Sequence, residues 1–173
     1  GEVYDVDGGL VGVEPVRLYY TGGTGSATET YNLFQPGMVT LTNGVAAGAY
    51  VGIELADMYP LLGTSVDSVK FGCRAQPFSD NDDTAQRRTM RAGWFQPMRE
   101  NNRNWGMWFE AKYGSPNWWA VVKDSATISQ EIDTGIAFTP YVSPLTNTDS
   151  LQLIYDATAE TAAFYINGNL EAT

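Results

Sequence analysis

The sequence contains no histidine and a single cysteine. Without histidine the chain cannot build a Ser-His-Asp or Cys-His relay, and it lacks the usual ligand of catalytic zinc. Cys73 has no second cysteine in the chain to pair with. Its setting, VKFGCRA at 69–75, predicts a buried structural thiol in a strand rather than a nucleophile. Cations are also scarce. Ten Lys and Arg face twenty Asp and Glu, for a net charge of −10, and only Lys70, Lys112 and Lys123 are lysines. Such an acidic chain repels phosphate backbones, which argues against nucleic acid as a partner. No apolar run approaches the roughly 20 residues that span a bilayer, so membrane insertion is not expected. Apolar residues do not recur at three- and four-residue spacing, so helix is not expected either. The glycine-rich TGGTGSAT at 21–28 has no lysine and no helical pattern after it, which excludes a phosphate-binding loop and leaves a mobile loop or a place where another chain passes close.

What the sequence does have is aromatic residues, turns and short alternating segments. Its 173 residues suffice for one domain with a sizeable core, and 13% of them are aromatic. Strand signals recur at VRLYYTG (16–22), GMVTLTNG (37–44), GAYVGIELA (48–56) and DSVKFGCRAQP (67–77). They resume after the polar SDNDDTAQRR (79–88), at TMRAGWFQP (89–97), NWGMWFEAKYG (104–114), NWWAVVKD (117–124) and ATISQEIDTGIAF (126–138). The last stretch, SLQLIYDATAETAAFYINGNLEAT (150–173), spells strand, polar turn, strand, an Asn167-Gly168 turn and a further strand. Many short strands at this spacing predict an all-β, antiparallel sandwich or jelly roll.

LQLIYDATAETAAFYINGNLEAT, together with the preceding WGMWFEA, WWAVV and EIDTGIAF in that order, resembles the concanavalin A-like superfamily of lectin, glucanase and laminin G-like sandwiches. The likeness covers about 37–173 and implies a sandwich there, with 1–36 as an N-terminal arm and first strand of the same domain. In that superfamily further strands usually follow the hairpin. This chain stops five residues after Gly168, so the resemblance implies that closing strands lie beyond Thr173, or that another chain or the N-terminal arm supplies the pairing.

Glucanases of this superfamily carry E-I-D-x-E or E-I-D-x-x-E on one strand, and retaining hydrolysis needs two carboxyl groups about 5–5.5 Å apart. Here Glu131 and Asp133 match the first two positions, but Gly135 and Ile136 stand where the acid/base belongs. The pair shares a strand face with Cα atoms roughly 7 Å apart. It is foremost a solvated face, next a polar ligand contact, and only last a catalytic remnant.

The tryptophans offer a second candidate. Trp118 and Trp119 must point to opposite faces of their strand, and Trp108 opposes Trp105 and Met107. Filling the core is the ordinary role of such rings. Trp108 and one of Trp118 or Trp119 are the candidates for a sugar-stacking platform. Five of the ten cations, Arg87, Arg88, Arg91, Arg99 and Arg103, cluster within 17 residues. They either pair locally with Asp80, Asp82, Asp83 and Glu100 or meet an anionic glycan or, better, an acidic partner surface. SDNDD at 79–83 supplies oxygen ligands, so Asp80, Asp82 and Asp83 are a candidate Ca²⁺ site, though without the spacing of an EF-hand. No other cofactor is expected.

These features lead to the expectation of a non-catalytic recognition or display module. It would bind a glycan or a protein surface beside other chains of a larger virion or extracellular assembly. A stand-alone lectin-like sugar binder is the alternative. A glycoside hydrolase or polysaccharide lyase is disfavoured by the missing second Glu and the missing His.

Overall fold

A computed structural model describes the backbone of residues 2–4, 10–13, 17–22, 26–30, 38–42 and 50–55. It describes backbone and side chains over 68–77, 89–95, 106–124, 129–139 and 147–173, the Ser129 side chain excepted. Among the described residues there are fourteen strands and no helix. The chain divides into two compact units, Gly1–Pro60 and Leu61–Thr173.

In the first unit the strands pair two by two, all antiparallel. β1 (Glu2–Tyr4) pairs with β2 (Leu10–Val13), β3 (Arg17–Gly22) with β6 (Tyr50–Leu55), and β4 (Ser26–Thr30) with β5 (Met38–Thr42). The expected arm, 1–36, falls within this unit. So do β5 and β6, which the resemblance counts with the sandwich. Residues 26–28, expected in a loop, belong to β4, where Ser26 faces Thr42 and Thr28 faces Thr40. The β-branched Thr28, Thr30, Thr40 and Thr42 favour strand there despite the preceding glycines.

The second unit holds two four-stranded antiparallel sheets. One is β7 (Ser68–Ala75), β12 (Asp149–Asp156), β13 (Thr161–Ile166) and β14 (Asn169–Ala172), in the order β14-β13-β12-β7. The other is β8 (Met90–Phe95), β9 (Gly106–Ala111), β10 (Asn117–Lys123) and β11 (Ser129–Ala137), in the order β11-β10-β9-β8. A single core lies between them. Phe109, Ala111, Trp118, Ala120 and Ala92 come from one sheet; Leu151, Leu153, Ala162, Phe164, Ile166 and Ala172 come from the other. Alternation explains this sorting: Leu151 and Leu153 are buried while their neighbours Ser150 and Gln152 are exposed. Phe109 joins the sheets by an edge-on contact with Phe164, centroids 5.1 Å apart, and Trp118 meets Phe138 the same way at 6.0 Å. Such ring pairs add about 0.5–1.5 kcal/mol each beyond the area they bury. The described second unit is therefore an all-β, two-layer antiparallel arrangement.

Turn chemistry sets the register. Asn167 and Gly168 both have positive φ, 52° and 87°, as a type I′ turn requires, and they close β13 onto β14 with Ile166 opposite Asn169. Between β8 and β9, Gly93 lies opposite Trp108, and Gly106 lies opposite Phe95. A Cβ on Gly93 would stand 2.4 Å from the Met107 carbonyl oxygen, and one on Gly106 would stand 2.5 Å from that of Trp94. Each glycine thus sits across the strand pair from a large ring, and Phe95 and Trp108 touch edge-on at 5.8 Å.

Candidate functional site

The β8–β11 sheet has a second face, opposite the core, and strand alternation decides what stands on it. Register places Arg91, Glu110, Trp119 and Asp133 in one row across the four strands. The next row holds Gly93, Trp108, Val121 and Glu131; the third holds Phe95, Gly106, Lys123 and Ser129. The β9 side of this face is closed. Trp108 is 1% exposed and Glu110 7%, and Trp118 on the core face is 0% exposed. Trp108 and Trp118 are therefore sealed, and Trp119, half-buried, is the one of the three candidate rings that reaches solvent.

Trp119 is held from two sides. Its indole N–H donates to Ser115 Oγ at 2.9 Å, and the Lys112 ammonium lies 3.8 Å from its ring centroid. The turn of 112–116, where Ser115 N donates to the Lys112 carbonyl and Gly114 has a φ of 76°, brings both partners onto the ring. Lys112 also bonds Glu131 Oε2, while Lys123 Nζ approaches Glu131 Oε1 at 3.5 Å. Glu131 thus lies between two ammonium groups, one at each carboxylate oxygen. The Lys112 hydrogen bond lowers its pKa, partial burial works against this, and the charges of Lys112 and Lys123 reinforce it.

Asp133 stands on the same face as Glu131 but does different work. Its Oδ1 accepts from Asn117 Nδ2 at 3.0 Å and from the Gly135 backbone N–H at 2.9 Å. Register jumps here, with Trp119 opposite Asp133 but Asn117 opposite Ala137, so residues 134–136 bulge. The Thr134 hydroxyl donates to the Trp118 carbonyl at 2.6 Å, and Gly135 takes a φ of 71°. Of the positions where the glucanase pattern would carry its acid/base, Gly135 is on this bulge and Ile136 packs against the core.

On the other side of Trp119, Glu110 Oε2 accepts from Arg91 Nε at 2.7 Å and from the Trp108 indole N–H at 2.8 Å. The Arg91 guanidinium also lies 5.0 Å from the Trp108 ring centroid. Arg91 is the one member of the arginine cluster on the described structure; Arg87, Arg88, Arg99 and Arg103 lie outside the described residues, as do Asp80, Asp82 and Asp83 with the Ca²⁺ expected there. Among the described residues no group of three or more His, Cys, Asp or Glu is placed to hold a metal ion.

A second carboxylate site lies on the core side of β10, where Trp118 points. Asp149 is 2% exposed and accepts four hydrogen bonds. They come from the Trp118 indole (2.9 Å), the Thr139 amide (2.7 Å) and hydroxyl (2.9 Å), and Asn167 Nδ2 (3.2 Å). Burial pushes its pKa up, but the donors from Thr139, Trp118 and Asn167 together outweigh this and leave it below the usual carboxylate value. Asn167 also donates its backbone N–H to the Ser150 carbonyl and accepts from Ser150 N. The cluster ties β10, the chain after β11, the start of β12 and the β13–β14 turn. Cys73, half-buried against the core, is a free thiol whose pKa burial raises to about 11, which keeps it protonated and unreactive at neutral pH.

Sequence reasoning singled out Glu131, Asp133 and Trp119 but missed Glu110, Lys112, Lys123 and Asp149. Alternation within GMWFEA places Trp108 and Glu110 on one face, a signal open to the sequence. The meeting of Lys112 with Glu131 depends on the pairing of three strands and had no local signal. No protein-family model, curated protein or solved structure matches this chain.

Proposed function

We propose that this chain is a non-catalytic recognition module. In this reading it has a concanavalin A-like jelly roll, belongs to a larger virion or extracellular assembly, and binds a glycan through the β10–β11 side of the second face. The observation that carries the reading is Trp119. It is a half-exposed ring on the sheet, with Lys112 over its plane, Ser115 on its indole N–H and Asp133 opposite it, and Lys112 leads on to Glu131. An aromatic plane bordered by donors and acceptors suits a sugar, which offers both an apolar face and hydroxyls. A non-catalytic role is supported by the same groups. Glu110 and Asp133 are both committed to fixed donors, and the lowered pKa of Glu131 opposes the protonated state that a general acid needs.

A glycan array probed with the full chain, with and without Ca²⁺, tests the reading. Binding that falls at least about tenfold in Trp119→Ala is expected, since stripping a stacking ring removes on the order of 1–2 kcal/mol. Silence across neutral and acidic glycans, or Trp119→Ala binding as well as the parent, overturns it.

A protein surface is the second reading. The two large exposed hydrophobic residues among those described, Ile132 (40%) and Leu170 (53%), lie on β11 and β14, the outermost strands of the two sheets as described. Unpaired strand edges with apolar side chains suit pairing with another chain.

A further inference from the structure

The Glu131 contacts show which ligand chemistry this face is built to hold. Two ammonium groups, one just past β9 and one at the end of β10, converge on one carboxylate, Lys112 on Oε2 and Lys123 on Oε1 at 3.5 Å. Their convergence is set by the backbone, because Lys112 follows β9 and Lys123 ends β10. The carboxylate is the more replaceable partner. Glu131 is on an outermost strand, and its side chain is 37% exposed against 22% and 29% for the two lysines. The Trp119 ring lies directly beneath Lys112. A ring plane and a carboxylate clamp therefore adjoin on one patch. Of the five Lys and Arg residues whose side chains are described, three (Arg91, Lys112 and Lys123) stand on this face, in a chain whose net charge is −10.

Resting on the glycan reading above, we propose that the face binds an acidic sugar, a uronate, whose carboxylate takes the place of Glu131 between Lys112 and Lys123. Glu131 is then an internal competitor. While it holds Lys112 across Trp119, the ring is capped and the lysines are neutralised. When a uronate arrives, its carboxylate supplies the charge both lysines need, Lys112 swings off the ring on its flexible stem, and the sugar stacks on Trp119. A neutral sugar has nothing to exchange for Glu131 and meets a covered ring. An acidic protein side chain would satisfy the lysines but would leave Trp119 without a stacking partner, which is why the sugar is favoured.

The test is calorimetric titration of the full chain with galacturonate, glucuronate and mannuronate oligosaccharides, with their methyl esters, and with neutral oligosaccharides. Acids are expected to bind and esters not. Glu131→Gln should bind the acids about tenfold more tightly, because the competing charge is gone. Lys123→Gln should bind them about tenfold more weakly, with a shallower dependence on salt, as expected on losing one charge-assisted contact. Circular dichroism confirms that each variant is folded, and either one alone decides the direction. Equal binding of acids and esters, or an unchanged or weakened affinity in Glu131→Gln, overturns the proposal. Binding of neutral sugars with the acids ignored overturns the uronate and leaves the glycan reading standing. Silence across all three sets overturns both.

Discussion

Two carboxylates in the second unit, Asp149 and Glu131, both sit below their ordinary pKa for opposite structural reasons. Asp149 is sealed at 2% exposure and held by four neutral donors that the backbone and buried side chains fix in place. Glu131 is exposed and held by two long, flexible lysines. The first arrangement cannot be exchanged for anything without unmaking the fold. The second exchanges readily, because water and dissolved anions compete for the same ammonium groups. A depressed pKa alone does not distinguish a structural carboxylate from a ligand-like one; the mobility of its donors does.

The largest break in this comparison should come from Asp149→Ala. It strands a buried indole N–H, an amide and a hydroxyl, and about 4 kcal/mol of unfolding free energy should be lost in denaturant titration. A loss below about 1 kcal/mol would show that the four bonds of Asp149 do not hold these segments together. Acid should act through the same residue. The folded pKa of Asp149 lies below its unfolded value of about 3.9. Its contribution is therefore complete above that value and is lost as pH falls through the folded pKa. Asp149→Asn should flatten that part of the acid limb in a plot of stability against pH.

Asn167 comes next. Asn167→Gly keeps the left-handed turn but loses the side-chain bonds to Asp149 and Ser150. Asn167→Ala loses both and should cost more, about 2 kcal/mol against about 1. Equal losses would mean that the turn conformation contributes nothing. The smallest effect belongs to Glu131→Gln, which should shift unfolding free energy by less than about 1 kcal/mol, as for an exposed ion pair. A loss comparable to that of Asp149→Ala would erase the distinction between the two sites.

Much of the second unit was legible from local pattern. SLQLIYDATAETAAFYINGNLEAT forms β12, β13 and β14, with Asn167-Gly168 as the connecting turn, because period-two apolar positions and an Asn-Gly pair are strong local signals. Trp118 and Trp119 divide between the two faces as alternation requires. In the first unit, β1, β2 and β4 escaped notice. They are three to five residues long and lie among glycines and polar residues, so pairing rather than pattern defines them.

EIDTGIAF shows the boundary most clearly. The sequence alone establishes that Glu131 and Asp133 share a face and that no acid stands at 135 or 136. It does not reveal that Asp133 closes a bulge onto Gly135, or that Glu131 is held by Lys112 after β9 and Lys123 at the end of β10. Side-chain direction is a local property of an extended backbone, whereas the partners of Glu131 depend on strand register. Composition and alternation determined the β class, the hairpins and the sorting of side chains to faces. Only the tertiary structure decided which ring reaches solvent, which carboxylate is sealed, and which is held by partly exposed lysines.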